Sequence, residues 1–415
     1  MTVLELFPET ARVEDGTLTV GGVTADALAD EFGTPLVVYC EQTLLGQASA
    51  YSSVEGVALV VYGTKAFPNV AIMRLLGAAG LGADVSTAGE LEYARRADIP
   101  GERIVFHGNN KSDEELASAA HVGALVVLDA LDEVHRAARA GVGRVLVRLT
   151  PAVEADTHRS IRTAHSESKF GLDPEQAFAA ISEAKNVLDP VGVHVHIGSQ
   201  LMRTEKSIDA VDHLLDFCAR CRDELAWTPE IVDLGGGLGV RHSRDETLPS
   251  ATEFAAALVT RFRAGWPRAR IVLEPGRSLV GRAGVTLYRI GATKRRGAVQ
   301  YAAIDGGMSD NPRPQLYGAR YEALLANRAD EPADGQIRIA GKHCESGDVL
   351  IESVALPTPR RGDLLAVPAT GAYTLAMSSN YNGVQRPAAV LVADGQARLI
   401  RRRETIADLF RLEQS

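Results

Sequence analysis

The sequence predicts an α/β protein, with a (β/α)8 TIM-like barrel followed by a C-terminal all-β domain. Three observations predict it. Eight short apolar, β-branched runs recur through the first two thirds of the chain, at residues 57–62, 81–85, 103–107, 124–129, 144–148, 191–196, 231–234 and 271–274. Stretches with helical spacing, such as 88–97 and 252–263, lie between them. After Arg277 the texture changes to short strands with few long helical patterns.

Each element follows from its pattern. Near-continuous apolar runs mark strands buried on both faces. Their alternation with helices implies parallel βαβ units, and eight units in a row close a barrel. Beyond the barrel, residues 285–290, 299–304, 336–339, 348–353, 363–367, 388–392 and 397–400 read as strands of a second domain. Residues 12–23 read as a hairpin turning at Asp15-Gly16. The expected division is an N-terminal segment 1–33 that joins the β-domain, a barrel over 34–282 and a β-domain over 283–415.

Composition narrows the function. A chain of 415 residues with 46% hydrophobic residues has room for more than one folded domain. A net charge of -9 argues against a general nucleic-acid binder and against a polybasic membrane contact. The first residues lack a basic then apolar signal pattern, and no run reaches the ~18 apolar residues of a membrane span. Of the four cysteines, Cys218 and Cys221 form a CxxC inside a helical pattern with no second pair to complete a zinc site, which reads as a core face. A cytoplasmic location is expected, since nothing requires a disulfide.

The chemistry-bearing residues cluster at strand ends. Lys65 is one of only seven lysines among 44 basic residues, and it follows the first barrel strand. Lysine can lose its proton and form a Schiff base, which arginine cannot. Asp84, His107, Asp129, Arg148, His196, Gly235 to Gly237 and Glu274 also stand at or just after strand ends, where barrel active sites assemble. Successive glycines at 235–237 make a nest for an oxyanion, without the Gly-Lys-Ser/Thr of a nucleotide loop. Glu274, a carboxylate at the end of the last strand, needs a partner: a protonated ring nitrogen or the adjacent Arg277. His194 and His196, two residues apart on one strand, leave a metal-dependent hydrolase open, with His107 and Asp129 as further ligands. In the β-domain, Cys344 lies beside Glu345 and near Asp348. Neighbouring acids make it a poor thiolate nucleophile but leave a serviceable proton donor.

Together these stretches resemble the fold-type III pyridoxal-phosphate decarboxylases, the alanine racemase/ornithine decarboxylase-like enzymes, and within them the diaminopimelate decarboxylase family. The resemblance rests on seven motifs in order. They are Tyr62-Gly63-Thr64-Lys65-Ala66, His194-Val195-His196-Ile197-Gly198-Ser199-Gln200, Gly235-Gly236-Gly237, Glu274-Pro275-Gly276-Arg277, Asn311-Pro312-Arg313-Pro314-Gln315-Leu316-Tyr317, Cys344-Glu345-Ser346-Gly347-Asp348 and Gly371-Ala372-Tyr373. It implies pyridoxal 5'-phosphate as cofactor, held covalently by Lys65 and stacked under His196. Its phosphate would lie on Ser199, Gly235, Gly236 and Gly237 with the backbone of Gly276 and Arg277. Glu274 would pair with the ring nitrogen, and Tyr373 would touch cofactor or substrate. It implies Cys344 as the proton donor, and a distal clamp of Arg277, Arg313 and Tyr317 for a carboxylate and Glu345 for an amine. It further implies lysine-forming decarboxylation of meso-diaminopimelate, or of another amino acid such as ornithine, lysine or a carrier-bound substrate, in a homodimer with shared active sites. Phe67, Leu149 and Leu238 depart from the family's common residues.

Overall fold

The computed structural model describes residues 2–150 and 168–414. It separates into two compact units, residues 47–239 with 248–279, and residues 1–46 with 240–247 and 280–415.

The first unit is a closed barrel of eight parallel strands: Val57–Gly63, Gly82–Val85, Ile104–Phe106, Leu125–Leu128, Arg144–Leu149, Asp189–Val195, Ile231–Asp233 and Arg270–Leu273. Each pairs with the next in sequence, and the eighth pairs with the first. Val61, Val105, Val127, Leu146, Val191, Ile231 and Val272 fill its interior as one apolar cluster, which is why these strands carry β-branched residues almost without interruption. Several of the helices between strands begin at side-chain caps that satisfy their first backbone N–H groups. Asn69 accepts from Ala71 and Ile72 N–H ahead of Val70–Ala78, and Ser250 with Glu253 forms a capping box for Ala251–Gly265. Cys218 and Cys221 lie on the buried face of helix Glu205–Leu225; burial raises both thiols, that of Cys221 to about 12. They pack as core residues.

The second unit centres on the 13-residue strand Gly284–Arg296. Its first half pairs antiparallel with Leu36–Cys40 on one side and Leu364–Val367 on the other, and its second half pairs with Val299–Ile304. Gly335–Ala340 and Val349–Leu356 extend the sheet at one edge, and Ala388–Ala393 and Gln396–Arg401 at the other. Two apolar clusters pack against it, one around Leu36, Val285 and Val390, the other around Ile290, Ile337 and Leu365. The N-terminal hairpin forms as expected, Arg12–Glu14 against Thr17–Val20, with Asp15 and Gly16 both at positive φ (48° and 76°).

One boundary moves. Leu36–Cys40 lies within the 34–282 span expected to be barrel, yet it pairs with Gly284–Leu287 and runs parallel to Ala388–Val392. The compact barrel unit therefore begins at residue 47. The cause is visible in the strand, whose five residues are all buried. A strand covered on both faces has the same apolar signature in either sheet.

Candidate active site

At the C-terminal ends of the barrel strands, four buried acids and imidazoles form one connected group. Lys65 sits on the short turn Thr64–Ala66 directly after the first strand, with its side chain 56% exposed and its Nζ 3.6 Å from Asp84 Oδ2. The other Asp84 oxygen lies 3.8 Å from His107 Nε2. His107 Nε2 is 2.5 Å from Glu274 Oε1, and His194 Nε2 is 3.1 Å from Glu274 Oε2. The two imidazoles meet edge to face, centroids 4.7 Å apart.

The charges in this group are uneven. Burial pushes the Glu274 carboxyl up, but His107 and His194 outweigh it and hold Glu274 well below the usual carboxylate range. Asp233, buried beside it, goes the other way: desolvation and the Glu274 charge raise it well above its usual value. Its Oδ1 accepts from Gly235 N–H at 2.8 Å. Burial brings His194 down to about 4, against the attraction of Glu274. His196 is likewise held well below its usual value, by burial first and then by Lys65. Glu274 is the group of the site whose ionised form its neighbours favour most clearly.

Beside Glu274 is the glycine nest. Gly235 has φ 65° and Gly237 φ 114°; a Cβ on the first would stand 2.4 Å from Val195 O, and on the second 2.6 Å from Gly198 O. Only glycine fits there. Gly236 N–H donates to His196 Nδ1 at 3.2 Å, which fixes that ring at the loop. The Arg277 guanidinium donates from Nε and Nη2 to Ser199 Oγ at 3.2 and 3.0 Å. Gly63 N–H donates to Pro275 O at 3.1 Å, so the loop after the eighth strand, with Gly276, abuts the strand that carries Lys65. A phosphorylated aromatic aldehyde fits these residues: an amine to hold it, a glycine cradle no side chain could enter, and a buried anion for a ring cation.

The histidines of the metal reading part company. His194 reaches Glu274, while His196, past the strand end, faces the glycine loop. Asp129, the other candidate ligand, instead holds Arg148 Nη1 at 3.4 Å and Gly171 N–H at 2.8 Å. His107, His194 and Glu274 do converge within 4.8 Å. The His107–Glu274 contact is a direct hydrogen bond, too short at 2.5 Å to span an ion, since ligands ~2.1 Å from a tetrahedral metal stand ~3.4 Å apart.

The remaining candidates lie in the β-domain. Arg313, 4% exposed, starts the helix Arg313–Tyr317, and its Nη1 donates to His242 Nε2 at 3.0 Å and to Tyr321 OH at 2.7 Å. Its Nε has no hydrogen-bond partner among the described residues. Tyr317 OH is 4.0 Å from Met377 Sδ. Cys344 and Glu345 are exposed on the loop before Val349–Leu356, and Tyr373 is half-buried at φ 57°. Sequence reasoning gave no part in cofactor binding to Asp84, His107, His194 or Asp233, and passed over His242 and Tyr321. The strand-end positions of the first four were a usable signal. Nothing local links His242 to an arginine 71 residues away. The departures are all core residues: Phe67, Leu149 and Leu238 are 1%, 2% and 3% exposed.

A parallel barrel with a lysine, a glycine-lined loop and a buried anion at its strand ends is the architecture of a pyridoxal-phosphate enzyme. Residues 42–281 match the family described as pyridoxal-dependent decarboxylase, pyridoxal binding domain. The chain is 42% identical to diaminopimelate decarboxylase of Bacillus subtilis over 96% of both chains. It is 41% identical to the enzyme of that name from Mycobacterium tuberculosis, over 97% of this chain and 96% of the other. Among solved structures, diaminopimelate decarboxylase from M. jannaschii in complex with L-lysine superposes with a TM-score of 0.92 at 34% identity, over 98% of each chain. The chain belongs to the pyridoxal-dependent decarboxylases, and pyridoxal phosphate is its cofactor.

Proposed function

We propose that this chain removes CO2 from meso-2,6-diaminopimelate to give L-lysine, the last step of lysine biosynthesis. The observation that carries the substrate choice is Arg313. A guanidinium buried to 4% exposure, with an imidazole and a phenol as its hydrogen-bond partners, lacks a carboxylate among the described residues. A buried charge is costly without a counter-ion. The distal carboxylate of diaminopimelate supplies one, and Glu345 supplies an anion for the distal amine. Lysine and ornithine bring only the amine, so a decarboxylase of simple diamine precursors has no use for Arg313. Full-length similarity to enzymes of this name supports the same reading.

Bound pyridoxal phosphate supplies an electron sink for the pair left on carbon when CO2 departs. The protein's part is to place and bias that group. Lys65 would hold it covalently, and Asp84 lies beside the Nζ. Ser199, Gly235, Gly236 and Gly237, with the backbone of Gly276 and Arg277, would take the phosphate, and His196 would lie against the ring. Glu274, kept anionic by His107 and His194, would hold a proton on the ring nitrogen. Tyr373 would contact cofactor or substrate, and Tyr317 stands with Arg313 and Arg277 as a candidate for binding the distal carboxylate. Cys344 donates the proton that replaces CO2. Cys344 and Glu345 are exposed on their own chain, which suits a homodimer in which each chain lends them to its neighbour. No helix among the described residues is long and apolar enough to cross a membrane, and a cytoplasmic location fits the chemistry.

The test is CO2 release from diaminopimelate, lysine and ornithine at equal concentration. Diaminopimelate is expected to react fastest by orders of magnitude, because a site built for a polar group rejects analogues lacking it by as much as ~10⁴–10⁵. Faster release from lysine or ornithine overturns the substrate and leaves the decarboxylase class standing.

A further inference from the structure

The loop that carries Cys344 is gripped from several sides, and the grip converges on Asp348. This carboxylate is 3% exposed. Its Oδ1 accepts from Met308 N–H at 2.8 Å, and its Oδ2 accepts from His343 N–H at 2.9 Å and pairs with His343 Nδ1 at 2.6 Å. It lies in a slot between two glycines; a Cβ would stand 2.5 Å from its oxygens at Gly307 and 2.0 Å at Gly341. The His343 side chain has no solvent exposure, and its ring stacks on Tyr381, centroids 5.9 Å apart and planes 19° from parallel. The next residue after Tyr381, Asn382, accepts from Cys344 N–H at 2.8 Å. Gln315 Nε2 donates to Gly347 O and Val349 O, tying the loop to the Arg313–Tyr317 helix.

The exposed thiol thus rises from a turn whose backbone is held on both sides. A bond to an anionic acceptor needs a donor, so Asp348 fixes the proton of His343 on Nδ1. Nε2 is buried without a hydrogen-bond partner among the described residues, so the bond to Asp348 is the polar anchor of this ring. A charge-assisted bond inside a buried slot is also stronger and more directional than one in water.

We propose that His343 is a positioning residue for protonation. Through its Nδ1–H bond to Asp348 it sets the face from which Cys344 delivers the proton. This rests on the reading of Cys344 as donor. In the step, the bond to CO2 breaks and leaves its electron pair on carbon. The Sγ–H bond then breaks as a C–H bond forms on that carbon, and solvent returns a proton to the thiolate. A held thiol serves one face. A displaced thiol lets water compete at both.

The experiment runs the full-length holoenzyme on diaminopimelate in D2O and reads the configuration of the single deuterium on the ε-carbon of the lysine formed. Wild type is expected to label one face. His343→Leu should lower kcat by ~10²-fold, the cost of a misplacement near 1 Å. Its KM and cofactor absorbance should stay near wild type, with deuterium on both faces. His343→Asn can place an amide N–H where Nδ1–H was and should keep single-face labelling. His343→Gln places its amide where Nε2 was and should scramble it. This Asn and Gln pair decides the matter if the leucine variant fails to fold. Single-face labelling by His343→Leu, or identical behaviour of Asn and Gln, overturns the proposal. Cys344→Ala is the control: scrambled labelling there with single-face labelling in His343→Leu sinks the His343 role alone. A wild-type rate and face in Cys344→Ala removes the donor reading itself, and with it the role of His343.

Discussion

His107 Nε2 and Glu274 Oε1 are 2.5 Å apart, a direct hydrogen bond between two side chains that are 8% and 5% exposed. With His194 on the second oxygen, the carboxylate is both desolvated and kept ionised. That combination makes it a strong electrostatic partner for a ring cation, since charges interact more strongly away from water.

Glu274→Gln should therefore keep the cofactor and lose turnover. An amide offers the same shape without the charge. Removing one preorganised electrostatic group of this type costs ~10²–10³ in kcat. The measurement is kcat alongside the visible absorbance of bound cofactor; near-wild-type turnover removes Glu274 from the mechanism.

The same short contact predicts indifference to chelators. Prolonged dialysis of the holoenzyme against a strong chelator should leave its rate unchanged. Loss of rate, restored by zinc, returns the hydrolase reading of His107, His194 and Glu274.

Arg313→Ala should act on substrate and not on cofactor. Removing one member of a buried ion pair costs ~3–5 kcal/mol, or ~10²–10⁴ in kcat/KM for diaminopimelate. Cofactor absorbance should be unaffected. An equal loss of cofactor binding would place Arg313 in the wrong part of the site.

Subunits with complementary lesions should rescue each other. Lys65→Ala chains are expected to be inactive, and Cys344→Ala chains to keep only a small fraction of the wild-type rate. A hybrid dimer of the two holds one intact site, and activity should return on mixing. Demonstrated subunit exchange with no recovery means each site is built within one chain.

Stability should fall with pH over one window because of Asp310. Desolvation raises its carboxyl to about 7, against the hydrogen bonds from Tyr288 and Gly307 N–H. Between its unfolded value near 4 and about 7, the folded chain keeps a proton that the unfolded chain releases. The stabilisation is full below that window and declines through it, by up to ~1.4 kcal/mol per pH unit. Asp310→Asn should flatten this slope in denaturant midpoints taken from pH 4 to 7; an unchanged slope assigns the dependence to other groups.

The eight barrel strands were legible because parallel strands buried on both faces leave an apolar run that no amphipathic helix imitates. Leu36–Cys40 was not, for the same reason: Leu-Val-Val-Tyr-Cys states that it is buried and not in which sheet. Lys65, Glu274 and the 235–237 glycines could be read because their chemistry is local to a strand end. The partners of Glu274 could not, since His107 is 167 residues away and its approach depends on barrel closure. The His343–Asp348 bond spans only five residues, yet it is set by the turn and by glycines at 307 and 341, which the motif itself does not display.

The strand Gly284–Arg296 takes its neighbours from residues 36–40, 299–304 and 364–367, and Leu36–Cys40 in turn needs 388–392. Long loops must close before these contacts reward closure, which slows assembly. During synthesis, the segment from 47 to 279 leaves the ribosome with all eight barrel strands while Leu36–Cys40 still has no neighbour on either edge. One edge can pair as soon as 284–287 has been added, but the other stays open until 388–392, more than a hundred residues later. That apolar strand is the point at which the nascent chain is most exposed to aggregation and has most need of a chaperone.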